Sequence, residues 1–151
     1  MMTLHDILNA QDAKRYSVIA GTKTHNCLRH IVVDGDVRCG DMDMVKKIIS
    51  HPELLPLFVA DAKTEVPIAG TINGRFISRR IDRMVVNNSA KTVAILDYKT
   101  DVHPDAHRAS YVAQLREYVQ LILVVYSRYD VSAYILWTHD FLLEKILSNS
   151  L

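Results

Sequence analysis

Cysteine is scarce: the 151 residues include only Cys27 and Cys39. Two thiols are too few for an iron–sulfur cluster or an all-cysteine zinc site. Together with His25 and His30 they read H-x-C-x-x-H-x8-C, which fits no common zinc framework, so free thiols in a reducing cytosol are expected. No secretory leader is expected, because "MMTLHDILNAQDAKRY" has no basic start followed by an apolar core. Long hydrophobic runs are lacking as well. The longest, "VQLILVVY", is interrupted by Gln120 and falls well short of the roughly 20 residues that span a bilayer. A cytoplasmic chain with no membrane partner is the expectation. Net charge is also near absent. At +1 it does not announce a nucleic-acid partner, so any electrostatic footprint has to come from local clustering. Finally, no G-x-x-x-x-G-K-[ST] loop occurs, which excludes a P-loop ATP-driven motor in this chain.

What is present suits one globular domain. Hydrophobic residues make up 49% and charged residues 23%, which excludes a disordered chain, and the length suits a single core. Residues 1–60 read as a helical lobe. The first 35 are mostly helical, with Leu28, Ile31 and Val32 at helical spacing; "VDGDVRCGD" is a loop; Asp41 or Asp43 caps a helix through "MVKKIIS"; and Pro52 opens another, "PELLPLF". Residues 61–151 change texture. Strands are expected in "TEVPIAGTI", "GRFISRRIDRMVV" and "TVAILDYKT", the last two forming a hairpin across "NNSAK". A helix near-apolar all round follows over about Ala109 to Tyr126, then a buried strand, "VSAYILW", and a closing helix, "DFLLEKIL", capped by Asp140. This order predicts an α/β fold with a mixed central sheet flanked by helices.

The chemistry collects at the end of one strand. In "TVAILDYKT" alternate side chains share a face, so Val93, Ile95, Asp97 and Lys99 line one side and Ala94, Leu96 and Tyr98 the other. Both faces are apolar until the strand runs out, which marks a central strand. Asp82 lies across the hairpin turn, sharing a face with Arg80 and Met84, and adjacent strands can bring its carboxylate to that of Asp97. Two buried carboxylates without a cation repel and are poorly solvated. A divalent metal resolves the conflict, and oxygen ligands favour Mg2+ or Mn2+. Lys99 then stands beside the metal, able to orient water or stabilise charge on a phosphate. D-x14-D-x-K is thus a phosphodiester-cleaving arrangement, although a lone D-x-K at a strand end often just faces solvent.

Gln114 and Tyr118, at i and i+4 on the long helix, share one face. They are either a substrate-holding pair at the rim of the site or a buried tyrosine beside a surface glutamine. Arg75, Arg79, Arg80 and Arg83 make a local basic strip, either a DNA contact or a solvated edge. Trp137, at a strand end, reads as core.

The ordered segments "EVPIAG", "IDRMVV", "ILDYKTD", "YVAQLREY" and "AYILWT" resemble the C-terminal nuclease domain of AddA-type recombination helicase-nucleases. That domain is the RecB-like branch of the PD-(D/E)XK superfamily, with a restriction-endonuclease-like core. The resemblance runs from about Gly21 to Ile146, most strongly from His51 onward. It implies a metal-dependent deoxyribonuclease, an exonuclease acting on linear ends or single strands of DNA in recombination or double-strand break repair. It implies metal ligation by Asp82, Asp97, the Tyr98 backbone carbonyl and His25, with Lys99 catalytic and Glu65 an additional acidic residue. Gln114 and Tyr118 match the Q-x-x-x-Y motif, and Arg83 and Thr100 are expected with them at the substrate. Two departures stand out: the segment from His25 to "HPELLPLF" is short, and bulky Arg79 and Arg80 precede "IDR". Without a motor, the expected forms are a freestanding nuclease, a subunit docking on a separately encoded helicase, or a decayed fragment retained as a non-catalytic binding or docking module.

Overall fold

A computed structural model describes residues 4–102 and 104–148; residues 4–14, 16, 17 and 104 are described by their backbone alone. Helix α1 (Leu4–Arg29) is followed by a short hairpin, β1 (Val32–Asp34) and β2 (Val37–Cys39). Next come α2 (Met42–Ile49) and a 3-10 turn over Pro52–Leu57. Strands β3 (Lys63–Ile72), β4 (Arg75–Asn87) and β5 (Thr92–Lys99) then lead into α3 (Arg108–Val125), β6 (Asp130–Trp137) and β7 (Leu142–Ser148). The sheet order is β3-β4-β5-β6-β7, antiparallel except between β5 and β6, which run parallel. The fold is therefore α/β with a five-stranded mixed sheet, and α3 supplies the crossover that a parallel pair requires.

Local signals place the elements. Asn73 and Gly74, at φ 50° and 75°, form the two-residue β3–β4 turn whose twist suits a hairpin. Asp41 caps α2, its Oδ1 accepting from the Met44 N–H at 2.9 Å. Asp41→Ala is expected to cost about 1 kcal/mol, lowering the melting temperature by about 2–4 °C for a chain of this size. A thermal scan checks this.

The core lies on both faces of the sheet. Leu28, Ile31, Val45, Ile48, Leu54 and Phe58 of the N-terminal lobe pack on Leu96, Tyr98 and Leu136. On the other face, Leu115, Tyr118, Val119 and Ile122 of α3 pack on Val93, Ile95, Ala133 and Ile135. The expected two faces of β5 are those observed. Gly70 of β3 is the point where α3 approaches most closely, since a Cβ there would lie 2.6 Å from Leu121 Cδ2.

Several expectations change. The lobe is not wholly helical: α1 ends at Arg29, and "VDGDVRC", expected as a loop, is the β1–β2 hairpin, with Val32 paired to Cys39. Helix α3 buries one face instead of being enclosed, leaving Val124 and Val125 81% and 75% exposed. The expected closing helix is strand β7. Its Leu143, Ile146 and Leu147 have helical spacing, but the open edge of β6 pairs with it from Trp137↔Leu142 to Ser132↔Ser148, and that pairing overrides local propensity. No helix among the described residues is long and apolar enough to cross a membrane.

Candidate acidic centre at the end of strands β4 and β5

The site begins where two strands part. The β4–β5 ladder runs from Asn87↔Thr92 to Arg83↔Leu96 and stops, while β5 stays paired with β6 as far as Lys99↔Trp137. At the parting, Asp82 Oδ2 accepts from the Tyr98 backbone N–H at 2.8 Å. A carboxylate thus takes the place of the next ladder bond.

Alternation along β4 also breaks here. Ile81 and Met84 both join the α3-side core, whereas Arg83 contacts Leu28 and Phe58 on the lobe side. Ile81 and Met84, which strict alternation would put on opposite faces, therefore share one. On the neighbouring strand Glu65, between the pairs Thr64↔Arg83 and Val66↔Ile81, has φ 55° and no ladder partner. A left-handed non-glycine residue inside a strand is strained by roughly 1–3 kcal/mol and marks a local kink.

Asp97 is 4% exposed. Its Oδ2 lies 2.6 Å from Lys99 Nζ, an ion pair by distance, yet the direction is wrong for a hydrogen bond and this buried oxygen has no hydrogen-bond partner. Burial, and then the charge of Asp97, push the Asp82 carboxyl up to about 8 from 3.8. His25 Nδ1 is 3.8 Å from Asp82 Oδ1, too far for a hydrogen bond. Burial holds the His25 imidazole below its ordinary value, and Asp97 opposes that shift only in part. Near neutral pH the ring is therefore uncharged, the form that ligates metals.

These groups suit a hard divalent cation. Two converging carboxylates supply oxygen donors, and one buried Asp97 oxygen lacks a hydrogen bond, with Lys99 Nζ 2.6 Å away. Yet among the described residues there is no group of three or more His, Cys, Asp and Glu side chains placed to hold a metal ion.

Other expected site residues take different places. Arg83, expected at DNA, is 1% exposed. Its Nε donates to Tyr98 Oη at 2.9 Å, and its Nη2 donates to the carbonyls of Leu28 at 2.8 Å and Ile31 at 3.1 Å. Its guanidinium carbon lies 4.3 Å from the centre of the Phe58 ring. Arg83 is thus an interior cation fastening the C-terminal end of α1 to the sheet, and it cannot reach a phosphate. The Tyr98 ring it holds meets the His25 ring edge-on, centroids 5.4 Å apart, so support for His25 comes from the sheet.

Gln114, half-buried, lines a cleft with Arg79 and Tyr111, and Tyr118 lies buried behind it. Lys99 Nζ donates to Gln114 Oε1 at 3.4 Å, and Gln114 Nε2 donates to Tyr118 Oη at 2.7 Å. Tyr118 is 2% exposed. Glu65, expected beside the metal, is ion-paired to Arg80 Nε at 2.5 Å. A polar cleft of about 500 Å³ opens beside the centre, lined by Gly21, His25, Arg29, Glu65, Arg80 and Thr100. Thr100 sits where α1 crosses the end of β5, Gly21 allowing the approach. A larger apolar groove of about 580 Å³ runs along Val18, Ile19, Cys27 and His30. Neither cavity is lined by Asp82, Asp97 or Lys99, but the smaller one is lined by His25, whose Nδ1 is 3.8 Å from Asp82 Oδ1, and by Thr100, which follows Lys99.

Sequence reasoning gave no role to Tyr111 and Asp101. The Tyr111 ring lies under the Lys99 ammonium, 4.2 Å from Nζ to centroid, and its hydroxyl donates to Asp101 Oδ2 at 2.6 Å. The signal was available, since Tyr111 is three residues before Gln114 and so on its helix face.

No family model matches this chain, and no curated protein matches it. Among solved structures it is similar to the crystal structure of SSO0001, at 19% identity and a TM-score of 0.43, over 69% of this chain and 52% of that one. The chain thus spans about half the length of that protein.

Proposed function

We propose that this chain is a metal-dependent deoxyribonuclease with a restriction-endonuclease-like PD-(D/E)XK core, cutting phosphodiester bonds at linear ends or in single strands of DNA. Repair or recombination is the setting we infer, alone or docked on a separate helicase. One observation carries the reading: Asp82 and Asp97 converge where β4 and β5 part, with a buried Asp97 oxygen lacking a hydrogen bond and Lys99 Nζ 2.6 Å away. Asp82 and Asp97 would hold Mg2+ or Mn2+, with neutral His25 and the Tyr98 carbonyl as further donors. The bound cation would supply Lewis acidity toward a phosphate and lower the pKa of an attacking water. Lys99 holds positive charge beside the phosphate, Gln114 and Tyr118 hold Lys99, and Arg80 and Thr100 line the cleft a strand would enter.

Arg80 must leave Glu65 before it can grip DNA. That pairing, together with the lack of a three-ligand group among the described residues, favours the second reading, a non-catalytic DNA-binding or helicase-docking module. Labelled linear single- and double-stranded DNA separates the two. Cleavage is expected with Mg2+ or Mn2+, none with EDTA, and Lys99→Ala should slow it on the order of 10²-fold. Intact substrates under every condition, or a variant that cuts as fast as wild type, would sink the nuclease reading. Retention of DNA without cutting would favour the module.

A further inference from the structure

Lys99 is held on two sides by groups already described, Asp97 and Gln114. A lysine on four rotatable bonds is not fixed by one ion pair and one long hydrogen bond. The third side is closed by the Tyr111 ring at 4.2 Å. The ring is itself tied down: its hydroxyl donates to Asp101 Oδ2 at 2.6 Å, and the His107 and Trp137 rings are its neighbours, each with its centroid 6.1 Å away. Asp101 follows Lys99 by two residues, so the clamp joins the exit of β5 to the first turns of α3.

We propose that Tyr111, anchored by Asp101, is a positioning residue that keeps the Lys99 ammonium at the acidic centre through its ring face. The inference rests on the nuclease reading and deepens it. Its importance lies in a conflict of partners. Were Asp97 to hold a cation, Lys99 would lose its ion pair, and Gln114 at 3.4 Å would be a weak hold. The π-face then attracts the ammonium without competing for the carboxylate. A tyrosine that merely covered the sheet would pack equally well as another apolar residue and would not couple to Lys99.

The test compares Tyr111→Leu, Tyr111→Phe and Asp101→Ala. With labelled single-stranded DNA and Mn2+, Tyr111→Leu is expected to lower kcat about 10-fold with KM nearly unchanged, the size of a partly desolvated cation–π contact. Tyr111→Phe, which keeps the ring but loses its hydroxyl, and Asp101→Ala, which removes the same hydrogen bond from the other side, should both fall between wild type and Tyr111→Leu, within about 3-fold of wild type. In a Lys99→Ala background Tyr111→Leu should have no further effect, because coupled residues are not additive. A second readout needs neither metal nor turnover. In protein carrying labelled lysine, the Lys99 side-chain protons should resonate upfield through the ring current, in wild type and Tyr111→Phe but not in Tyr111→Leu. Should Tyr111→Leu fail to fold, Tyr111→Met, which also removes the ring, carries the same comparison, and the wild-type Lys99 resonance tests the contact without any variant.

Equal kcat in wild type and Tyr111→Leu, additive loss in the Lys99→Ala background, or an ordinary Lys99 resonance in wild type overturns this inference while leaving the nuclease reading intact. A wild type that cuts no DNA with either cation overturns the nuclease reading, and the positioning role falls with it.

Discussion

Asp82→Asn is expected to make the metal-free protein more stable at pH 8 while slowing cleavage on the order of 10²–10³-fold. The two effects share one cause. Asp82 is confined beside Asp97 in a buried place, and its carboxyl is pushed up to about 8. Between pH 4 and 8 the folded chain keeps a proton on Asp82 that the unfolded chain has lost, so the metal-free protein loses stability as pH rises through that window. Below pH 4 both states are protonated and above 8 both are ionised, and this contribution is flat. The slope is at most about 1.4 kcal/mol per pH unit, the limit for a single proton. Asparagine removes the charge, and its carbonyl oxygen still accepts from the Tyr98 N–H. Melting curves at several pH values in EDTA should fall for wild type and flatten for Asp82→Asn. Added Mn2+ should restore wild type most at pH 8 and leave the variant unmoved. A variant with the same pH slope as wild type would show that Asp82 is not the strained carboxyl.

Arg83→Met is expected to destabilise the protein by about 3 kcal/mol or more, because it leaves several buried neutral acceptors without a donor. Methionine fills part of the space and stacks on Phe58, but it donates nothing. The carbonyls of Leu28 and Ile31 and the Tyr98 hydroxyl would lose their donor in the interior, each at roughly 1–3 kcal/mol when left dry. The end of α1 carries negative partial charge that an arginine also offsets. Denaturant unfolding gives the loss, and a loss below about 1 kcal/mol would mean that water satisfies these groups. Because α1 carries His25, any Arg83→Met protein that remains folded should also bind Mn2+ more weakly. Arg83→Lys should rescue little, since one ammonium cannot replace a planar fork reaching three acceptors.

The legible parts of this fold were those governed by short-range pattern. The apolar alternation of β5 identified a central strand and both of its faces, and the lobe and α3 pack on those faces as expected. The hairpin register followed from a tight polar turn, so Asp82 and Asp97 could be brought to one end of the sheet before any coordinates. Helix spacing placed Gln114 and Tyr118 together. Spacing could not say that they face inward to Lys99, because α3 is apolar on more than one side and its rotation is set by what it packs against.

Residues 142–148 went wrong for a similar reason. Their spacing satisfies a helix and a strand, and the free edge of β6 decides. Arg83 is the sharper case. In "RRIDR" three arginines look alike, and each alternation rule assumes an unbroken strand. The kink opposite Glu65 turns Arg83 inward among the carbonyls at the end of α1, which no local pattern encodes. The sequence by itself determined which residue types could meet at the end of β5, through periodicity and the fixed twofold alternation of strands. Only the tertiary structure decided which charge faces the cleft and which is buried. That choice depends on partners 52 to 55 residues away along the chain, the distance from Arg83 to Ile31 and Leu28, and on the backbone groups they leave unpaired.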